Sequence, residues 1–566
     1  MILPRNVTAL VSRLVVLAAL TLAAGATTAA GVAPQQVDSI FAPFTLPGSP
    51  GCAVAVIDSH RIVYSNAFGL ANLEHDVPNT IETVFDIGSN AKQFTATAIL
   101  LLEEEGKLSI DDDVHKYIPE LPAYPWPITL RHLLTHTSGI RDYFELMMLK
   151  GVFVGNQYPN RYYLDLICRQ PELNFRPGEM QMYSNSGFIL LAEIVNRVSG
   201  QSLAEFARER IFEPLGMTHT RFVEDASVII PHRAASYGSL PSGGYWQGVS
   251  IATNNGDGGI LSTLADLARW DRNFYDNQLG RKSQLLLRRL QEPFVLNSGD
   301  TIPWGLGLRL GQHHGLPVVF HGGAYFGFRS EILRFPDQQF TVIVLANSDK
   351  AVAWTLAYQV ADLYLSESYH DEGVDAATPP SYQPDPRALA DKAGRYRNPI
   401  SGIIWTVTPT DTTLEIATST GFAFQLLPTG ADQFISVGIP QQASVRFERD
   451  SGNAWAAIFT SPGQAPARLS SIPQRTQNPS LETYVGKYHC RELEMTISLL
   501  MSGEVLSMRS DDADLDYRLT QLLPDEFSAA NGGYLLHFIR GEHDQIAALA
   551  ISSQRVKNLR FDRIAG

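Results

Sequence analysis

A serine and a lysine stand three residues apart in the segment FDIGSNAKQFTATAILLLEEEG, which runs from Phe85 to Gly106. Its apolar spacing predicts a helix that ends at Gly106 and buries one face, formed by Phe94, Ala98, Leu101 and Leu102. Because residues three apart share a helix face, we expect Ser89 and Lys92 to touch. A serine hydroxyl becomes a good nucleophile when a base takes its proton, and a lysine can be that base. The helix N-terminus would also stabilise an oxyanion there.

A second candidate lies in FRPGEMQMYSNSGF, where Tyr183-Ser184-Asn185 precedes a helix that we expect to begin near Gly187. A tyrosine beside a lysine can carry a proton to the leaving group, and an asparagine can hold a substrate carbonyl and the lysine. The Tyr-x-Asn pattern is common in this chain, but the other matches read as strands or loops, and they begin at Tyr64, Tyr158, Tyr275 and Tyr396.

The third candidate is His321-Gly322-Gly323 in VVFHGGAYFGFRSEI, at the start of a predicted strand that is followed by another strand. Two glycines would let a substrate backbone lie against the strand edge, and the amide of Ala324 could donate to an oxyanion. Taken by itself, the motif favours a tight turn.

In this order, Ser89-x-x-Lys92, Tyr183-x-Asn185 and His321-Gly322-Gly323 resemble the active-site motifs of the serine β-lactamase and penicillin-binding-protein superfamily. The resemblance is strongest to class C β-lactamase-like esterases and D-aminopeptidases, and it spans about residues 38 to 365, including LLTHTSGI, PLGMTHT and GDGGILSTLADLARW. It implies an α+β fold: an antiparallel sheet flanked by helices, beside a helical subdomain, with the site between them. It also implies an acyl-enzyme on the serine and no cofactor.

One departure from the family pattern concerns the strand motif. Penicillin-recognising members usually carry Lys-Thr-Gly, whose lysine attracts a substrate carboxylate, whereas this chain has His321. A histidine with a pKa near 6.5 is only partly cationic at neutral pH, so its pull on a carboxylate is weaker. The substitution favours esters, amides or peptides over penicillins as the small-molecule or peptide substrate.

The chain divides into several predicted parts. A catalytic domain (35–365) is followed by a Pro-rich, acidic linker (366–388) and by two small antiparallel β-barrel domains (389–474 and 480–566). An internal repeat supports the two barrels, since AGRYRN matches VGKYHC, LLPTGADQF matches LLPDEF and VRFERD matches LHFIRG. This layout resembles that of bacterial D-aminopeptidases.

The N-terminus and the charge indicate location and partners. Arg5 and Arg13 precede a short, Ala-rich apolar run, which predicts a signal peptide (1–30) and a periplasmic or secreted protein without stable membrane insertion. A retained membrane anchor is the alternative. The net charge of -14 and the absence of a basic cluster exclude nucleic acid as an expected partner. The oligomeric state stays open.

The spacing of the cysteines and histidines predicts neither a metal site nor a disulfide framework. Cys52, Cys168 and Cys490 are odd in number and widely spaced, so we expect small buried residues. His132 and His136 have a zinc-like spacing, but no glutamate follows the first and no third ligand is evident. We therefore expect no metal.

A hydrolase that recognises a free amine needs a carboxylate for the ammonium group, because an unpaired charge is costly to desolvate. The second barrel contains SDDADLDY, which supplies Asp511, Asp512, Asp514 and Asp516 in a predicted loop. One hypothesis is that this loop reaches the cleft and binds the amine. The alternative is a solvated surface turn.

Together these features predict a serine hydrolase acting through an acyl-enzyme, with Ser89, Lys92, Tyr183, Asn185 and His321 as catalytic residues. D-amino-acid-containing peptides or amides are the expected substrates. Two alternatives stay open: a carboxylesterase of the class C β-lactamase-like family, and a non-catalytic, penicillin-binding-like sensor or binding protein.

Overall fold

A computed structural model of the chain describes residues 31–249, 253, 255–370, 382–399, 402–419, 422–437, 443–460, 466–472, 479–510, 515–529 and 533–564. The predicted signal peptide (1–30) lies outside these residues, as do Asp511, Asp512 and Asp514. Within the described ranges, every helix is too short or too polar to cross a membrane.

The described α-helices lie mainly in the first two thirds of the chain, before the barrels. They are α1 (Pro34–Phe41), α2 (Ala91–Glu104), α3 (Leu130–Leu134), α4 (Tyr143–Leu149), α5 (Asn160–Cys168), α6 (Asn185–Ser199), α7 (Leu203–Ala207), α8 (Glu213–Leu215), α9 (Leu264–Asn273), α10 (Gln284–Leu290), α11 (Ala353–Leu365) and α12 (Pro386–Ala390).

The described strands that precede the barrels are spread over residues 52–346. They are β1 (Cys52–Asp58), β2 (Arg61–Phe68), β3 (Leu70–Asn72), β4 (Val77–Pro78), β5 (Phe85–Asp86), β6 (Arg221–Phe222), β7 (Ser236–Ser239), β8 (Tyr245–Gly248), β9 (Ile260–Ser262), β10 (Phe294–Val295), β11 (Thr301–Ile302), β12 (Arg309–His313), β13 (Leu316–Tyr325), β14 (Phe328–Phe335) and β15 (Phe340–Ala346).

The main sheet has the order β12-β13-β14-β15-β1-β2, and all neighbouring strands are antiparallel. Helices α1 and α11 cover one face, where their apolar residues pack against Val54, Val56, Val342 and Val344. Residues of α2 and α9 belong to the core on the other face. The sheet is therefore buried on both sides, as β1 shows by burying nearly all its residues instead of alternating.

Helix α2 is more deeply buried than its pattern predicts. The sequence indicates one apolar face, but all residues from Ala91 to Leu102 are buried, including Lys92. The helix packs against α6, α7 and α10 as well as the serine turn, so it has no solvent face over this length. The four residues predicted to be buried are buried, but the prediction of a single buried face was wrong, because other helices pack around the remaining sides.

The first C-terminal unit is a closed barrel of eight antiparallel strands. Its strands run in chain order: β16 (Gly394–Arg397), β17 (Ile404–Pro409), β18 (Leu414–Thr418), β19 (Ala423–Pro428), β20 (Gln433–Val437), β21 (Ser444–Arg449), β22 (Trp455–Thr460) and β23 (Ala467–Ser471). Pairing of β16 with β23 closes the barrel.

The second unit is a sheet of nine strands whose ends, β27 and β28, are consecutive in sequence. It comprises β24 (Gly486–Cys490), β25 (Met495–Ser502), β26 (Val505–Ser510), β27 (Asp516–Arg518), β28 (Thr520–Leu523), β29 (Glu526–Ala529), β30 (Tyr534–Arg540), β31 (Ile546–Ser552) and β32 (Leu559–Ile564). It forms a nearly closed barrel. The predicted fold class, a helix-flanked sheet followed by two small antiparallel barrels, is confirmed.

Candidate active site

A tight turn carries Ser89 from β5 to the N-terminus of α2. Gly88 has φ +50°, and a Cβ on it would lie 2.9 Å from the amide nitrogen of Ala324. A Cβ on Gly323 would lie 2.0 Å from the carbonyl oxygen of Ile87. Both glycines therefore let the serine turn and β13 approach each other along their backbones.

Lys92 lies one turn into α2 and is fully buried. Its Nζ donates to Ser89 Oγ at 3.0 Å, to Asn185 Oδ1 at 3.0 Å and to the carbonyl oxygen of Asp257 at 2.7 Å. Three acceptors match the three N–H donors of an ammonium group, so the amine has one defined position. The structure thus brings together three residues that the sequence singled out, and it adds Asp257.

The ring of Tyr183 sits among three other functional groups. The His136 ring stacks on it at 4.2 Å between centroids, the guanidinium of Arg555 lies 4.8 Å from its centroid, and Lys92 Nζ lies 4.9 Å from it. In the described part of the chain, the Tyr183 hydroxyl has no protein hydrogen-bond partner, so it can face a substrate. Helix α6 begins at Asn185, two residues earlier than expected.

His321 lies inside β13, not at its start, and is buried. Burial, together with the charge of Lys92, lowers the pKa of His321 to about 3, so the imidazole is neutral. Its Nδ1–H donates to the carbonyl oxygen of Gly322 at 2.7 Å, which leaves Nε2 as an acceptor without a partner in the described residues. The expectation of a partly cationic histidine is wrong, because an exposed imidazole was assumed.

One large cleft of about 1660 Å³ is lined by Tyr183, Asn185 and His321, whereas Lys92 is buried and is not a lining residue. Ser89, Gly322, Gly323 and Ala324 all border it. Three other residues at the site were not singled out as site residues: Glu331, Arg555 and Asp257. Asp257 lies in the segment GDGGILSTLADLARW, in which Thr263 caps α9.

Asp257 contributes more than its carbonyl oxygen. Tyr143 Oη donates to Asp257 Oδ2 at 3.1 Å, and burial raises the pKa of this carboxyl group to about 6. Lys92 opposes that rise through its charge. A main-chain oxygen leaves no signal in the sequence. An aspartate in a Gly-rich loop is, however, a recognisable candidate for a site residue.

The turn between β31 and β32 brings the second barrel into the cleft, where Gln554 and Arg555 are lining residues. The amide of Arg555 donates to Glu145 Oε2 at 2.7 Å, and its carbonyl oxygen accepts from Asn174 Nδ2 at 2.9 Å. Arg141 Nη2 donates to the carbonyl oxygen of Lys557 at 3.0 Å. The second barrel is therefore fixed to the catalytic domain and forms a wall of its cleft.

The acidic loop of the second barrel is only partly described. Asp516 lies at the start of β27, is exposed and pairs with Arg509 at 3.1 Å; it is not a cleft-lining residue. Asp511, Asp512 and Asp514 fall outside the described residues, so their approach to the cleft stays a prediction.

The histidines with zinc-like spacing have other partners. His132 Nδ1 accepts from the amide of Thr129, and His136 Nδ1 accepts from the amide of Ser184, both at 3.1 Å. In the described residues, side chains spaced for a metal ion are instead His313, His314 and Asp362, which do not line the cleft. The three cysteines are unpaired thiols.

Comparison with known proteins places the chain in a family. The Beta-lactamase family matches residues 37–365, and the chain belongs to it as a serine hydrolase. A D-aminopeptidase of Gluconobacter oxydans is 27% identical over 467 residues, which cover 82% of this chain and 84% of that protein. Penicillin-binding protein 4* of Bacillus subtilis is 32% identical over 317 residues, covering 52% and 68%.

Solved structures agree on the fold. The octameric penicillin-binding protein homologue from Pyrococcus abyssi superposes with a TM-score of 0.55 at 24% identity, over 77% of this chain and 100% of that chain. The resemblance predicted from the three motifs is thereby confirmed.

Proposed function

We propose that this serine hydrolase is an exported D-aminopeptidase, which cleaves the amide bond after a D-amino acid residue with a free amine. The observation that carries the proposal is the contact of Lys92 Nζ with Ser89 Oγ at 3.0 Å, inside a cleft large enough for a short peptide. Similarity to a D-aminopeptidase over 82% of the chain supports the substrate class.

In the proposed reaction, Lys92 first releases one proton to solvent. The neutral amine keeps its two N–H donations to Asn185 Oδ1 and the Asp257 carbonyl oxygen, and its lone pair takes the proton from Ser89 as Oγ attacks the substrate carbonyl carbon. The amides of Ser89 and Ala324 donate to the resulting oxyanion. The C–N bond then breaks, and the proton reaches the leaving amine through Lys92 and the hydroxyl of Tyr183. Water attacks the ester, the carboxylic acid leaves and Ser89 regains its proton.

The neutral state of His321 supports, as the substrate class, amides that carry no carboxylate next to the scissile bond. A neutral imidazole offers no charge to the carboxylate that penicillins carry, but its free Nε2 can accept a hydrogen bond from an N–H of the substrate. We therefore place His321 as a positioning residue for an amide or amine.

A hydrolysis screen tests the proposal. D-alanine p-nitroanilide, its L-isomer, p-nitrophenyl acetate and nitrocefin are compared on the purified protein, and a fluorophosphonate probe reports acylation of Ser89. We expect turnover of the D-anilide well above that of the L-isomer and of nitrocefin, with labelling lost in Ser89→Ala. Ser298→Ala is the matched control, because Ser298 also lines the cleft but only donates to Asp300.

Two results would replace the proposal. Ester turnover without anilide turnover would favour the carboxylesterase. Absence of both turnover and labelling would favour a non-catalytic sensor. Retention of full labelling in Ser89→Ala, or its loss in Ser298→Ala, would mean that the nucleophile has been misassigned.

A further inference from the structure

The cleft extends around the edge of β13, beyond the catalytic groups. Strand β12 pairs with β13 only from Leu316 to Phe320, so the segment from His321 to Tyr325 has no strand on that side in the described residues. An extended peptide can add to such an edge as a further strand. Its side groups would then alternate between the two faces of the sheet.

Glu331 lies on the face of the sheet opposite to Ser89. It stands directly across from Gly322 in the β13–β14 pair, and a Cβ on Gly322 would lie 2.6 Å from Glu331 Oε2. The missing side chain at Gly322 leaves the carboxyl group bordering the cleft. Glu331 is 3% exposed, so it is a buried acid that still lines the substrate cavity.

In the part of the chain that the structure describes, the Oε1 atom of this carboxyl group has no protein partner. The charged or titratable side chains that act on it are Arg309 and Tyr358. The charge of Arg309 lowers the pKa of Glu331, but the two side chains form no direct ion pair in the described residues. The Arg309 guanidinium lies 5.3 Å from the centroid of Trp304 and 5.2 Å from that of Phe320. Burial raises the pKa of Glu331 to about 8. An unpaired buried carboxyl group costs stability, and such groups in clefts are candidates for ligand binding.

We propose that Glu331 binds a primary ammonium group of the substrate at the edge of β13. This role rests on the proposed function and adds to it the carboxylate that amine recognition requires. The carboxyl group releases its proton to solvent when the ammonium binds, and the two then form a buried ion pair. The ammonium is either the α-amine of the residue being released or a side-chain amine of the residue that follows it.

Two substrate pairs separate these sources. The first is D-alanine p-nitroanilide against propionyl p-nitroanilide, which lacks only the α-amine. The second is N-acetyl-D-alanyl-L-lysine amide against its norleucine analogue, which lacks only the side-chain amine. In one of the two pairs, we expect Glu331→Gln to lower kcat/KM by at least about thirtyfold for the substrate that carries the amine. For the substrate that lacks the amine, kcat/KM should fall by less than about threefold.

Glu415→Gln is the matched control, since Glu415 is an exposed glutamate on β18 of the first barrel and does not line the cleft. It should change neither ratio. The proposal is overturned if Glu331→Gln leaves the ammonium preference intact in both pairs, if neither pair shows a preference, or if Glu415→Gln abolishes the preference. Gly322→Ala is a second variant, whose Cβ would displace the carboxylate and cause the same loss should Glu331→Gln fail to fold.

Binding measurements separate this proposal from the proposed function. Calorimetry on Ser89→Ala with D-alaninamide, N-acetyl-lysine amide and propionamide reports affinity without turnover. One outcome is that the active enzyme hydrolyses no amide, that an ammonium compound binds Ser89→Ala, and that this binding disappears in the Ser89→Ala, Glu331→Gln double variant. This outcome supports the cation subsite and contradicts the proposed function. If the enzyme hydrolyses amides and its preference for ammonium substrates does not depend on Glu331, the proposed function is supported and the cation subsite is contradicted.

Discussion

Replacing Glu331 by glutamine should stabilise the protein at alkaline pH relative to the wild type. Burial raises the folded-state pKa of Glu331 to about 8, whereas a glutamate in an unfolded chain titrates near about 4.3. A group whose pKa is raised on folding contributes stability that is complete below its unfolded pKa and is lost as the pH rises through the folded pKa. Glutamine does not titrate, so only the wild type loses stability between these values.

The size of the effect follows from the pKa difference. Each pKa unit corresponds to about 1.4 kcal/mol, so the wild type should lose about 3–4 kcal/mol between pH 5 and pH 8 through this group. The unfolding entropy is about 2.1 cal/mol/K per residue. Applied to residues 37–365, which match the Beta-lactamase family, it converts this loss of stability to a shift of about 5 °C in Tm.

Differential scanning calorimetry of wild type, Glu331→Gln and Asp516→Asn at pH 5, 6, 7 and 8 and constant ionic strength measures the change. The Tm advantage of Glu331→Gln should grow by about 5 °C across this range, whereas the Tm of Asp516→Asn should stay within about 1 °C of wild type. A Glu331→Gln advantage that does not grow with pH would refute the description of Glu331 as an unpaired buried acid.

Further predictions concern the catalytic groups. Ser89→Ala and Lys92→Ala should each lower kcat by about 10⁴-fold or more, and the double variant should be no slower than the worse single, since the pair acts as a unit; additive losses in steady-state assays would indicate independent roles. Tyr183→Phe should slow turnover by about 10²–10⁴-fold, whereas Tyr64→Phe, whose hydroxyl instead bonds Asp38, should have little effect; equal effects would mean that the wrong Tyr-x-Asn motif was chosen. His321→Lys should raise affinity for penicillins and weaken amide turnover; unchanged penicillin binding and turnover would show that this side chain does not face the substrate.

Local spacing determined the contact between Ser89 and Lys92. Ser89 and Lys92 are three residues apart on one helical segment, so their proximity follows from helix geometry once the helix forms. Apolar periodicity predicted that helix, and the repeat and strand patterns predicted the two barrels. The order of the three motifs, which combine distant parts of the chain, indicated the family.

Only the tertiary structure decided which other groups meet this pair. The Asp257 carbonyl bonds Lys92 across 165 positions of the sequence, and a backbone carbonyl has no residue-type signal. Arg555 reaches Tyr183 because the second barrel docks on the catalytic domain through main-chain and side-chain hydrogen bonds. Glu331 became a candidate because strand pairing sets it opposite a glycine at a free sheet edge. The partners, burial and charge of these groups depend on contacts between segments far apart in sequence, which local patterns do not encode.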